Sequence, residues 1–340
     1  MKTMKETLKK VCYEIDFSGV IFVKREADVI FQLTAGYSNR ADKRANLINT
    51  KFGIASGCKL FTAIGICQLV EKGMLSFDTK LKDCLHISFP YFHEDITIHH
   101  LLTHTSGIPD YFDEAVMDDY ADLWKERPTY HMNSLTDFLP MFQKNQMMYK
   151  PGEKFHYNNA GFIVLGLIIE QHTGLAFTDY IESNVFARCG MADSGYFSLD
   201  HLPSNTAYGY IDHKDGTWRT NFFSIPIKGG ADGGAFITAQ DMMKCWEGLL
   251  DYKLLSKKYT NILLTPHVTV KNEQHYGYGI WISKKNGDIF KYYVIGYDPG
   301  VSFHSSFYPG LGIKAVIPSN KSSGPYEIIK SIEDNLIINK

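Results

Sequence analysis

The chain of 340 residues has no run of about 18 apolar residues, so it offers no single helix for a bilayer. It has no excess of positive charge. Its 35 Lys and Arg stand against 37 Asp and Glu, for a net charge of −2. That balance carries no electrostatic footprint of a nucleic-acid partner or an anionic membrane. Cysteine is scarce: six residues, at 12, 58, 67, 84, 189 and 245, form no C-x-x-C pair. Such scatter fits reduced thiols rather than a disulfide framework. There is no Gly-x-Ser-x-Gly elbow, which argues against an α/β-hydrolase. No P-loop or dinucleotide fingerprint appears, so no nucleotide cofactor is expected. Internal repeats and low-complexity tracts are also missing. The first residues, MKTMKETLKKVCYEI, are charged and helix-like and lack the apolar core of a secretory signal, which leads to the expectation of a cytoplasmic protein.

What is present is an ordinary globular composition, 44% hydrophobic and 21% charged, enough for a large core and two subdomains. The most informative segment reads Phe52-Gly53-Ile54-Ala55-Ser56-Gly57-Cys58-Lys59 and then turns apolar at helical spacing through Leu60, Phe61, Ile64 and Cys67. A serine at a helix start with a lysine three residues on places both side chains on one face, roughly 5–6 Å apart at Cβ. An amine at that distance activates a hydroxyl that is otherwise a poor nucleophile. The first N–H groups of a helix lack internal partners, so the Ser56 N–H is available to an oxyanion. A capping serine followed by a solvated lysine explains the same four residues more simply. Two facts favour chemistry: this is the only Ser-x-x-Lys in the chain, and the apolar stripe after Lys59 predicts a buried face.

The pattern along the chain predicts a helix over 2–14, a hairpin from 17–24 and 28–37, and a helix over 56–72 ending at Gly73. Residues 96–190 read as mostly helical, with helices near 159–173, capped by Asn158, and 176–186. After about 205, a Gly-rich stretch leads to a Thr238-capped helix over 239–250. Strands follow at 276–283, 289–296, 300–307 and 312–318, and a last helix covers about 323–337. The fold class expected is α/β (α+β): one antiparallel sheet flanked by helices, with an inserted all-helical subdomain. Residues 1–55 and 195–340 would form the α/β sandwich and 56–194 the helical part, with the active site at their junction. A second candidate, Tyr157-Asn158-Asn159, sits after the Pro151-Gly152 turn and just before an apolar helix. A tyrosine there, close to Lys59, is expected to have a depressed pKa and to serve as general base.

Taken in order, FSGVIFV with GYSNR, the Ser-x-x-Lys segment with LVEKGMLSFD, LLTHTSGIPDY, PGEKFHYNNAGFIVLGLIIE, GGAFITAQDM and YGYGIWI resemble the serine β-lactamase and penicillin-binding-protein superfamily. The closest branch is the class C-like one, which includes D-Ala-D-Ala carboxypeptidases, D-aminopeptidases and esterases. The resemblance implies a β-lactamase/transpeptidase-like fold with Ser56 as the acylated nucleophile. Lys59 and Tyr157 would share the proton transfer, and Asn159 would hold Lys59 and a substrate carbonyl. It also implies a third motif on a later strand, Lys-Thr/Ser-Gly or His-x-Gly. By order, that position here is Val294-Ile295-Gly296. Gly296 is kept, making Tyr297 N–H the second oxyanion donor, but the cation that engages a substrate carboxylate is missing. His304 is the nearest residue that would replace it. Tyr111 and Phe223 are expected to line the cleft.

His93, Glu94, His99, His100 and His104 invite a metal reading, but Thr97 stands where His-Glu-x-x-His needs its second histidine, and structural roles are favoured. No metal or other cofactor is expected. Two function classes follow. One is a serine hydrolase that forms an acyl-enzyme on a small ester, amide or peptide-like substrate, an esterase or D-peptidase more than a penicillinase. The other is a catalytically weak relative that binds such ligands as a sensor. The intact Ser56, Lys59 and Tyr157 set favours the enzyme. Oligomeric state is not legible.

Overall fold

The computed structural model describes residues 2–338. Eight antiparallel strands form the main sheet: β1 (Gly19–Arg25), β2 (Asp28–Ala35), β3 (Val268–Lys271), β4 (Gln274–Tyr276), β5 (Trp281–Lys285), β6 (Asp288–Asp298), β7 (Val301–Tyr308) and β8 (Ile313–Ser319). Their spatial order is β2-β1-β8-β7-β6-β5-β4-β3. The two ends of the chain therefore meet in one sheet through β1 and β8, with Phe22 opposite Val316. The expected strand over 276–283 is split in two. The chain turns through Gly277 and Gly279 between β4 and β5, and Gly279 takes φ +66° against the Lys59 carbonyl.

Alternation along the strands explains why both faces are covered. From β1, Val20 and Phe22 enter the large core, whereas Ile21 and Val23 enter a smaller one on the opposite face. That smaller core is closed by the N-terminal helix α1 (Lys2–Glu14), through Met4, Leu8 and Cys12, and by the C-terminal helix, Pro325–Ile338, through Ile328, Ile329 and Ile332. On the other face lie α2 (Lys59–Glu71), α3 (Asn159–Thr173) and α4 (Ala239–Leu250). Helix α2 is buried from Lys59 through Val70 on every side, not only along the expected stripe. Its neighbours α3, Lys257–Leu263, Phe177–Ile181 and Glu182–Phe186 leave it no solvent face. Helix α3 is capped as its sequence predicts: Asn158 Oδ1 accepts the Gly161 N–H at 2.7 Å, and Gly174 ends it at φ +70°. Among the described residues no single helix is long and apolar enough to cross a membrane. Helix α3 and Phe177–Cys189 reach that length together but are bent by 79°, and α3 is itself core.

Because β1 is buried on both faces, Ile21→Ala and Phe22→Ala should each lower the unfolding free energy by about 2–5 kcal/mol. Urea denaturation measures both. A near-neutral result for either would mean that one face of the sheet is not packed.

Candidate active site

The nucleophile candidate is held in a tight turn rather than in the helix proper. Phe52–Gly53 pairs with Phe236–Ile237, and the chain then makes one 3-10 turn, Ala55–Cys58, that runs into α2. Ala55 takes φ +45°, a left-handed conformation rare outside glycine, immediately before Ser56. Gly57 N–H donates to the Ile54 carbonyl, and this spacing leaves the Ser56 N–H without an acceptor inside the turn. Strand β6 presses directly on it. A Cβ at Gly296 would lie 2.0 Å from the Ile54 oxygen and 2.9 Å from Ser56 N, so only glycine fits there. Beyond Tyr293, β6 has no partner in β5, and this free edge, which carries Tyr297, runs along the Ser56 turn.

Lys59, at the first position of α2, is 2% exposed. Its ammonium donates to three acceptors: Ser56 Oγ at 2.9 Å, Asn159 Oδ1 at 2.8 Å and the Asp232 carbonyl at 2.7 Å. Three protons meet three acceptors, which is how a buried charge is kept. Asn159 is aimed by what holds its other end: its Nδ2 donates to the Phe112 carbonyl at 3.2 Å, which leaves Oδ1 facing Lys59. Asp110 fixes the start of α3 by accepting the N–H groups of Asn159 at 2.7 Å and Ala160 at 2.9 Å. Burial outweighs these donors and pushes the Asp110 carboxyl up to about 7. Asp232 is a buried acid whose carboxylate takes a short hydrogen bond from Tyr111.

Tyr157 reaches Ser56 with its hydroxyl, and its ring lies 5.0 Å from Lys59 Nζ. The expected depressed pKa is not found. Burial, with the negative charge of Glu114 added, holds the phenol well above its ordinary value. Lys59 directs its protons to three other acceptors and donates none to the Tyr157 hydroxyl. The Tyr157 ring packs on His104, centroids 4.4 Å apart. His104 itself sits at φ +56°, accepts the Asn158 N–H at 3.0 Å, and is kept neutral by burial. It is a wedge beneath the tyrosine. His100 instead closes a capping box with Thr97. Cys58, next to the turn, is buried with its thiol pushed up to about 12, which makes it a packing group.

These residues open onto a cavity of about 560 Å³. Ser56, Tyr157, Asn159, Gly296, Tyr297 and Tyr111 all line it, while Lys59 lies behind Ser56. Two expectations are corrected. Phe223 is 79% exposed and turned away; its neighbour Phe222 lines the wall. His304 lies buried on β7 opposite Ile295, stacked on Tyr293 and bonded through Nε2 to Ser306 Oγ at 2.8 Å. Burial drives its pKa far below the usual histidine range, so it supplies no cation. At the third motif, Val294 packs into the large core, and Ile295 is the side chain that meets the cavity. Sequence reading missed Asp110, Glu114, Trp281 and Asp298. Of these, only Asp110 carried a signal, its place in the GIPDY run ahead of Tyr111.

Known proteins share this architecture. The sequence pattern of the Beta-lactamase family matches residues 15–331. A penicillin binding protein from Bacillus halodurans is 54% identical with a TM-score of 0.93, over 96% of this chain and 99% of that one. The octameric penicillin-binding protein homologue from Pyrococcus abyssi is 27% identical with a TM-score of 0.86, over 100% of this chain and 77% of its own. Penicillin-binding protein 4* of Bacillus subtilis (strain 168) is 29% identical over 294 residues, 83% of this chain. The chain spans 62% of that relative's length. With a family match over nearly its whole length, this chain belongs to the Beta-lactamase family, within the serine β-lactamase and penicillin-binding-protein superfamily.

Proposed function

We propose that this chain is a serine hydrolase that forms an acyl-enzyme on Ser56 from a small ester, amide or peptide-like substrate. The observation that carries this reading is the hydrogen bond of 2.9 Å between Lys59 Nζ and Ser56 Oγ at the floor of an open cavity. In the acylation step, Ser56 Oγ bonds to the substrate carbonyl carbon. The Oγ proton passes to the Tyr157–Lys59 pair and from there to the leaving group as its bond breaks. The oxyanion is received by the N–H groups of Ser56 and Tyr297. Water then takes the place of the leaving group and releases the acid. Asn159 holds Lys59 in place through Oδ1.

The third motif refines the substrate. With Val294 in the core and Ile295 at the wall, the position that holds a cation in the superfamily offers none. A carboxylate entering there loses hydration without a fixed counter-charge. Neutral esters and amides therefore suit the site better than penicillins or C-terminal carboxylates.

Ser56→Ala should cut hydrolysis of a short p-nitrophenyl ester by on the order of 10³-fold or more. Intact mass after incubation with a fluorophosphonate should show one adduct on wild type and none on the variant. Undiminished turnover in Ser56→Ala would remove the assignment.

The proton inventory sets the pH dependence. In the resting site the phenol is neutral and Lys59 donates three protons, so the pair holds one proton more than the reacting form needs. Because burial raises the tyrosine, that proton leaves only in alkaline solution. Because the phenol is held well above its ordinary value, single-turnover acylation should keep climbing as the pH is raised through the alkaline range, with no plateau at neutrality. A rate already level below pH 7 would show that the base is ready at neutrality and that this proton count is wrong.

A further inference from the structure

We propose that the cavity selects substrates whose acyl portion carries a positive charge, such as the free ammonium of an amino-acid ester, amide or peptide N-terminus, and that Asp298 recognises it. The inference rests on the hydrolase reading and names its substrate class.

Asp298 closes strand β6 two residues after Gly296, and residues two apart share a face of a strand. Gly296 faces the Ser56 turn, so Asp298 stands on the same side, roughly 7 Å further along. It lines the cavity. Its carboxyl forms no hydrogen bond and no ion pair among the described residues. The two other acids beside the catalytic residues are provided for. Asp110 accepts backbone N–H groups, and Asp232 accepts the Tyr111 hydroxyl. Asp298 alone of the three is left open toward the space a substrate enters.

The surrounding charge has the matching sign. Asp232 and Glu114 both act on Asp298 electrostatically and raise its pKa, after burial, to about 8. Lys59 opposes them, but its three protons are already committed. Lys228 is the one cation on the lining among the described residues, against five carboxyl side chains there. A carboxyl kept this way without donors is relieved when a cation arrives: the ammonium supplies donors, and the acid ionises against it. The rings of Tyr111, Tyr120 and Trp281 on the same lining add faces that attract a cation. An anionic acyl group meets the opposite field.

The test compares three substrates that differ only in the group on the α-nitrogen, a free ammonium, a neutral amide and an amide that carries a carboxylate: alanine benzyl ester, N-acetylalanine benzyl ester and N-succinylalanine benzyl ester, each as both enantiomers. Release of benzyl alcohol is followed by chromatography at pH 6.5 and corrected for the uncatalysed rate. Wild type should favour the amino ester over the acetyl ester in kcat/KM by roughly ten- to a hundred-fold, the range of a hydrogen bond to a charged group, with the succinyl ester slowest. Asp298→Asn should bring that ratio close to one, and Glu114→Gln should lower it by a smaller factor. Equal rates on the three esters, a preference for the succinyl ester, or Asp298→Asn variants that keep the wild-type ratio would each overturn the inference and leave the hydrolase reading standing. No hydrolysis of any of them, with either enantiomer, would remove both.

Discussion

The buried ammonium of Lys59 is the constraint on which the rest of the site depends. An uncompensated charge in a protein interior is too costly to keep, so each of its three protons needs an acceptor. The acceptors come from three separate parts of the chain: the turn that precedes α2, the first residue of α3, and the loop that leads to α4. Their convergence fixes the position of Ser56 relative to the strand β6 edge. It also explains the secondary contacts. Asp110 is needed to hold Asn159 where α3 begins, and Tyr111 is needed to hold Asp232.

The same burial has a second consequence. Acidic side chains gathered behind and around the cavity are pushed toward their neutral forms, Asp110 to about 7 and Asp298 to about 8, and Tyr157 is pushed up with them. A tyrosine set among carboxyls is a poor base at rest and a strong one once its proton has gone. The missing third-motif cation belongs to the same pattern. Where the superfamily places positive charge to meet a carboxylate, this chain places Ile295 at the wall and leaves Asp298 open two residues past Gly296.

Local signals carried much of the fold. Asn158, Gly174 and Thr238 mark helix ends with groups that satisfy orphan backbone atoms, and they do so wherever the helix packs. β-rich runs bounded by turns marked β1 and β8 as strands, although such runs could not say what would cover each face. Helix α2 shows where the pattern runs out. Its apolar run predicts one buried face, yet packing against α3, Lys257–Leu263 and Phe177–Phe186 buries it all round. Phe223 and Phe222 are adjacent and chemically alike, so no sequence rule says which one turns into the cavity and which into solvent.

By itself, the sequence determined the order of the elements and the nearness of Ser56 to Lys59, because both follow from interactions within a few residues along the chain. The family to which those motifs belong was legible for the same reason. Only the tertiary structure decided the protonation of Tyr157, the neutrality of His304 and the openness of Asp298. Each of those depends on how much water and how many donors or charges surround a group, and the charged neighbours lie 13 to 184 residues away: Glu114 beside Tyr157, Lys291 beside His304, Asp232 and Glu114 beside Asp298. Burial and field are properties of the assembled fold, and no local pattern encodes them.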